Sequence, residues 1–279
     1  MKAISAIVWI LLGTSFWPPL AVAQEVSPAA GEAAAAPEGP LPMRLEIGGY
    51  GSWMDNGYGS WRGVAAQFSA RLGKTFVPIF TIDSQTRSSH AQQNYALLSY
   101  VNWSDSFYTV QAFSAATAAS PAFTYFPDRR FDVKAHWKIP PRRNLVIGGG
   151  FSHLDFGRRS RADVLTVGAL YYRNRLVLEG DAFVNRNQPG DLVSHAGIVS
   201  AQYGIEGRYW IGLSASAGRE LYQHVAVVPQ EVRLSNHSTG AFYRQWLSRH
   251  VGVAFSADYQ NRRDAYRRVG TSTSLFLDF

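Results

Sequence analysis

The side chains of this sequence that could do chemistry recur at every second position. Arg44 and Glu46 stand two apart, as do Asp132, Lys134, His136 and Lys138, and Glu179 and Asp181. An extended chain turns such residues onto one face. Arg71, Asp83, Asp258 and Arg268 hold the same phase in their own segments. Both signs of charge are present. Two chemistries suit the set: salt bridges and hydrogen bonds that fill a narrow enclosed space, or a selectivity surface for a charged solute. A second group is rich in arginine. Arg158, Arg159 and Arg161 fall in one connection between segments, and Arg262, Arg263 and Arg267 near another. A guanidinium grips phosphate bidentately, so these side chains suit an anionic surface.

Catalytic patterns are missing. The 7 histidines show no metal-ligand spacing, there is no G-x-S-x-G and no phosphate-binding loop, and there is no cysteine. That excludes thiolate metal sites, a cysteine nucleophile and a disulfide scaffold. His136, His153 or His195 paired with a serine would resemble a barrel lipase or deacylase, and their spacing lends that no support. The expectation is no catalytic residue, no metal and no cofactor.

The elements that must position these residues are extended. After residue 42 no segment keeps a helical period, and none reaches the ~18 apolar residues of a spanning helix. Stretches of about ten residues alternate instead, the pattern of transmembrane strands. The last is clearest: Val269, Thr271, Thr273, Leu275, Leu277 and Phe279 share one face, and Arg268, Gly270, Ser272, Ser274 and Asp278 the other, with Phe276 as the exception. Val251 to Tyr259, Phe131 to Ile139, Leu45 to Trp53 and Tyr209 to Ala215 repeat the pattern. Fourteen segments are expected between 43–53 and 267–279, with twelve as the alternative; those from the third to the fifth alternate poorly and contain Pro78. Connections alternate between tight, as at Gly73-Lys74 and Ser104-Asp105, and long, as at 117–128 and 219–235. In hydrocarbon an open sheet edge costs several kcal/mol per unpaired group, so such strands must close into a barrel.

The N-terminus places that barrel. Lys2, the apolar run Ala3 to Leu12 and Ala21-Val22-Ala23 read as a signal peptide over residues 1–23, cleaved after Ala23. Residues 24–42, rich in alanine and proline, read as a disordered periplasmic linker, and 43–279 as an outer-membrane β-barrel of a Gram-negative cell. Residues 1–42 hold one of the chain's 27 basic residues and three of its 20 acidic ones, leaving 26 against 17, a net +9. On an exported barrel that charge points to lipopolysaccharide, an acidic solute or an anionic polymer rather than to nucleic acid. Phe279, ending an alternating strand, is the expected signal for the barrel-assembly machinery.

From about residue 46 the chain resembles the YaiO-type outer-membrane β-barrel family. The stretches that carry the likeness are Gly49-Tyr50, Asn56-Gly57-Tyr58-Gly59-Ser60-Trp61, Phe126-Pro127-Asp128-Arg129-Arg130-Phe131, Gly148-Gly149-Gly150-Phe151-Ser152, Val167-Gly168-Ala169-Leu170-Tyr171-Tyr172, Gly218-Arg219-Glu220-Leu221-Tyr222 and the ending from Gly270 to Phe279. The resemblance implies fold and location, and no catalytic residue. Some relatives stand beside polysaccharide-export machinery, which implies a role in envelope traffic.

Three functions follow as expectations. The first is a narrow pore or an accessory component of envelope polymer or solute transport. The second is an enzyme acting on lipid or glycan. The third is an adhesion or assembly barrel working through its loops, the longest of which carries the apolar run Val225-Ala226-Val227-Val228. The segment Phe126 to Arg130 either folds inward as a constriction or forms a structural turn.

Overall fold

The computed structural model describes residues 41–57, 59–87, 90–117, 126–157, 160–223, 230–263 and 265–279. The expected signal peptide and linker, Arg158, Arg159 and the run Val225 to Val228 lie outside these. The regular structure is fourteen strands: β1 (Met43–Met54), β2 (Ser60–Ala70), β3 (Phe76–Arg87), β4 (His90–Asn102), β5 (Phe107–Ala116), β6 (Arg129–Lys138), β7 (Leu145–Asp155), β8 (Arg161–Arg173), β9 (Leu176–Gln188), β10 (Leu192–Ile205), β11 (Tyr209–Gln223), β12 (Gln230–Trp246), β13 (Val251–Arg262) and β14 (Tyr266–Asp278). Each pairs antiparallel with its chain neighbours and β1 pairs with β14, so the sheet closes. Met43 and Phe279 exchange both backbone hydrogen bonds at 3.0 Å, which carries the seam to the last residue.

Tight turns gather at the end that holds both termini, here the turn end; the opposite rim is the loop end. The loops are shorter than expected because the strands run on. Of the two readings of 219–235, a long loop that plugs the lumen or binds a partner and an extension of the flanking strands as a hairpin, the second holds: β11 and β12 stay paired to Gln223 and Gln230, with a register shift between Glu220 and Tyr222.

The two faces follow the period of two. On β8, Leu165, Val167 and Tyr171 are exposed while Val164, Thr166 and Leu170 are buried. All around the barrel the outer face is apolar, and its exposed aromatics form two girdles. Trp103, Phe107, Trp137, Tyr171 and Tyr203 stand near the turn end, and Trp53, Tyr95, Phe113, Phe131 and Tyr259 nearer the loop end. Amphipathic rings at two levels around an apolar band are how a barrel meets the two faces of a bilayer.

The inward positions explain the segments that alternate poorly. Val77, Ile79, Tyr100, Tyr108 and Val110 of β3, β4 and β5 point into the barrel and pack with Val146 and Leu170. Both faces of these strands are apolar near the turn end, so the alternation fades. Phe276 has the same origin: it points inward and packs with Trp210, Trp246 and Val177.

Candidate functional lumen

A ring of about eight strands encloses a space that side chains just fill, whereas about 16 leave a water channel. With fourteen strands, long side chains must reach inward if the space is to close. They do so at the turn end.

The floor there is built from aromatic rings and ion pairs. Arg44 on β1 donates to Asp278 on β14 through Nε at 2.5 Å and Nη2 at 2.9 Å, and its Nη2 also reaches Glu206 at 3.2 Å in the turn after β10. Arg244 on β12 donates to Glu46 Oε2 at 2.8 Å, and Ser274 Oγ to Glu46 Oε1 at 2.5 Å. The Trp246 and Trp210 indole N–H groups donate to Asp278 at 2.9 Å and Glu206 at 3.1 Å. Phe276 lies between the two guanidinium groups, 4.8 Å from Arg44 and 4.9 Å from Arg244, with Trp246 edge-on at 5.1 Å. Each charge thus has a carboxylate partner and an aromatic face, the condition under which buried ions are tolerated. Burial holds the Glu206 carboxyl above its ordinary range, against the opposing pull of Arg44 and Arg244.

A second polar group runs along the inner wall from β6. The Lys134 ammonium donates to Asp181 Oδ1 on β9 at 2.7 Å, over two intervening strands. Glycines make the crossing possible. His136, Gly148, Gly168 and Asp181 form one register row. A Cβ on Gly148 would stand 2.9 Å from His136 Nδ1, one on Gly150 3.0 Å from Lys134 Cβ, and one on Gly168 2.8 Å from Asp181 Cγ. Gly148, Gly150 and Gly168 therefore leave room on the inner wall for the side chains that lie over them. His136 stacks on Tyr108 with ring centroids 4.5 Å apart, and the Lys138 ammonium lies 5.4 Å from the same tyrosine ring.

The opposite wall, β10 to β14, is small and hydroxyl-lined. Ser216 and Ser238 hydrogen-bond at 2.6 Å, as do Ser256 and Ser272. Gly240 and Gly270 flank Asp258 in register, and Asp258 accepts from Arg268 at 3.0 Å. The wall holds a small concavity, with room for about one water, whose mostly apolar lining includes Ser200, Gln202, Leu213, Gly240, Phe242 and Asp258. Toward the loop end, Arg87 stacks 3.6 Å over Trp61, which meets Tyr266 edge-on at 6.5 Å.

Of the residues read as lumen-facing, Glu46, Asp83, Lys134, His136, Lys138, Glu179, Asp181 and Arg268 are buried inside the barrel. Arg44, Asp132 and Asp258 also stand at inward positions; Asp132 is gripped by Arg130 at 2.8 Å, and Asp83 accepts from Tyr50 at 2.7 Å. Arg71 differs: it lies one residue past β2, on the turn-end rim, where its N–H bonds to the Pro42 carbonyl at 2.6 Å. Arg262 also differs from the loop position expected for it. It ends β13 in the inward phase, is buried, and lies 5.2 Å over the Tyr266 ring. Strand β13 simply continues past the predicted break. Arg161, Arg263 and Arg267 are exposed near the loop end, Arg161 lying 3.7 Å from Asp155. Phe126 is buried, and its N–H donates to Gln92 at 2.9 Å, so that segment tucks over the loop-end rim of β4.

Sequence reading did not single out Arg244, Arg130, Arg87 or Asp278 as lumenal, although all hold the inward phase of their strands. The period of two was the signal that could have found them. His153 Nδ1 lies 2.7 Å from Asp163 Oδ1, and both side chains face outward; among the described residues no serine hydroxyl is hydrogen-bonded to the pair.

A closed antiparallel ring with an apolar, aromatic-girdled exterior and a polar interior defines a membrane β-barrel of the outer-membrane type. The chain belongs to the YaiO membrane beta barrel family, whose model matches residues 43–223. No curated protein matches it. Among solved structures, a "Bacterial polysaccharide outer membrane secretin" aligns over 87% of this chain and 100% of its own at 9% identity and a TM-score of 0.56. The "CymD monoaromatic hydrocarbon channel" covers 86% of this chain and 89% of its own at 8% identity and a TM-score of 0.58. The COG4313 outer membrane channel from Pseudomonas putida F1 covers 90% and 100% at 10% identity and a TM-score of 0.53. At these identities the likeness is one of fold.

Proposed function

We propose that this barrel is a narrow, conditionally closed channel of the Gram-negative outer membrane, serving envelope solute or polymer traffic and carrying no catalysis. The turn end faces the periplasm in this reading. The observation that carries it is the contrast along the lumen: a wall of small, serine-bearing strands above a floor of packed rings and ion pairs. The hydroxyls of that wall suit a hydroxyl-rich solute or polymer, and the floor keeps the resting barrel from leaking. The exposed Arg161, Arg263 and Arg267, with Arg158 and Arg159, would meet lipopolysaccharide phosphates, and Phe279 would be read by the barrel-assembly machinery.

Planar-bilayer conductance tests the proposal. The wild type is expected to pass little current, and the Trp246→Ala/Phe276→Ala double variant to pass steady current, because it removes two rings from the floor. Porin-like conductance in the wild type, or a double variant that stays sealed while still migrating as a folded barrel in unheated detergent gels, would overturn it.

A further inference from the structure

The inner face of β6 is polar from one end to the other. Arg130, Asp132, Lys134, His136 and Lys138 occupy its inward positions in sequence, from the loop end to the turn end. Side chains two residues apart along a strand rise by about 6.6 Å, so these groups form a ladder of closely spaced polar steps. No neighbouring strand does this. On β5, Tyr108 and Val110 face inward, and on β7, Val146 and Leu154 do.

Both ring nitrogens of His136, on the ladder, are enclosed without a hydrogen bond among the described residues; such atoms also occur elsewhere in the lumen, at Ser200 Oγ and Asn94 Oδ1 among others. Such atoms in a native interior call for water or a passing solute. The Lys134–Asp181 bridge stands in the middle of the ladder, its side chains 5% and 0% exposed, and it ties β6 to β9 along the inner wall, over the glycines of β7 and β8.

We infer that the β6 face is the permeation route of this barrel, and that the Lys134–Asp181 bridge is its gate and charge filter. This rests on the channel reading above and locates the path within it. When the bridge parts, a permeating ion passes between two opposite fixed charges. Removing one of them leaves the other to select. Lys134 with Lys138 would then favour anions, and Asp181 would favour cations.

The test is single-channel recording in a salt gradient with potassium chloride. Asp181→Asn is expected to raise the open fraction and shift the reversal potential toward anion selectivity. Lys134→Met is expected to open the channel as well, with the opposite shift toward cations. The double variant Lys134→Met/Asp181→Asn should conduct with little preference. Each variant is first checked for the heat-dependent gel shift of a folded barrel, and Lys134→Arg, which keeps the charge, should stay closed. Shifts of the same sign overturn the assignment, as do folded single variants that stay sealed or unselective while the floor variant conducts. In that case the channel reading stands. Silence in every folded variant, the floor variant included, overturns both.

Discussion

Replacing Arg244 with alanine is expected to lower the stability of the folded barrel by about 3–5 kcal/mol. Arg244 and Glu46 are both buried, their charged groups are 2.8 Å apart, and they join β12 to β1 across the floor of the lumen. Truncation removes the guanidinium and leaves the Glu46 carboxylate enclosed, with Ser274 as its remaining hydrogen-bond donor at 2.5 Å. The penalty comes from that stranded charge more than from the lost attraction. Replacing both members, Arg244→Met with Glu46→Gln, should therefore recover much of the loss. Urea unfolding midpoints in detergent micelles or lipid vesicles measure both. A single variant within about 1 kcal/mol of the wild type, or a double variant as unstable as the single, would show that the floor is not held by this pair.

Val167→Arg should destabilise the barrel by roughly 2–4 kcal/mol in a bilayer. Val167 is 64% exposed, at the centre of β8 and between the two aromatic girdles. On a protein surface in water, an exposed valine is usually replaced within about ±0.5 kcal/mol. In hydrocarbon the same change puts a guanidinium where no water can solvate it. The experiment thus asks what medium touches the outer face. Measured by unfolding from lipid vesicles, a neutral result would mean that this face does not meet acyl chains. That would remove the membrane placement on which the channel reading stands.

Much of the fold is legible in the sequence because side chains alternate strictly along a strand, and here the two environments differ sharply. Lipid on one side and a polar lumen on the other wrote the contrast into Val251–Tyr259 and Arg268–Phe279. Where the lumen itself is apolar the contrast disappears, as at Val77, Tyr100 and Tyr108, and there periodicity says least. Strand ends were the weakest point. Arg262 was read into a loop because the polar run Asn261-Arg262-Arg263-Asp264 looks like a connection, whereas the alternation carries β13 through Arg262.

The order of residues alone led to a membrane barrel, with fourteen strands as the first count and twelve as the alternative, and to the inward phase of many of its charged side chains, because both follow from a local period of two. Which charges meet could not be read this way. Arg44 finds Asp278 at a separation of 234 residues, Arg244 finds Glu46 at 198, and Lys134 reaches Asp181 across β7 and β8. Those pairings depend on how the ring closes, on the register between strands, and on glycines that leave room for a side chain to cross. Closure brings together residues that no spacing along the chain relates, so the floor and the gate exist only once the first strand has met the last.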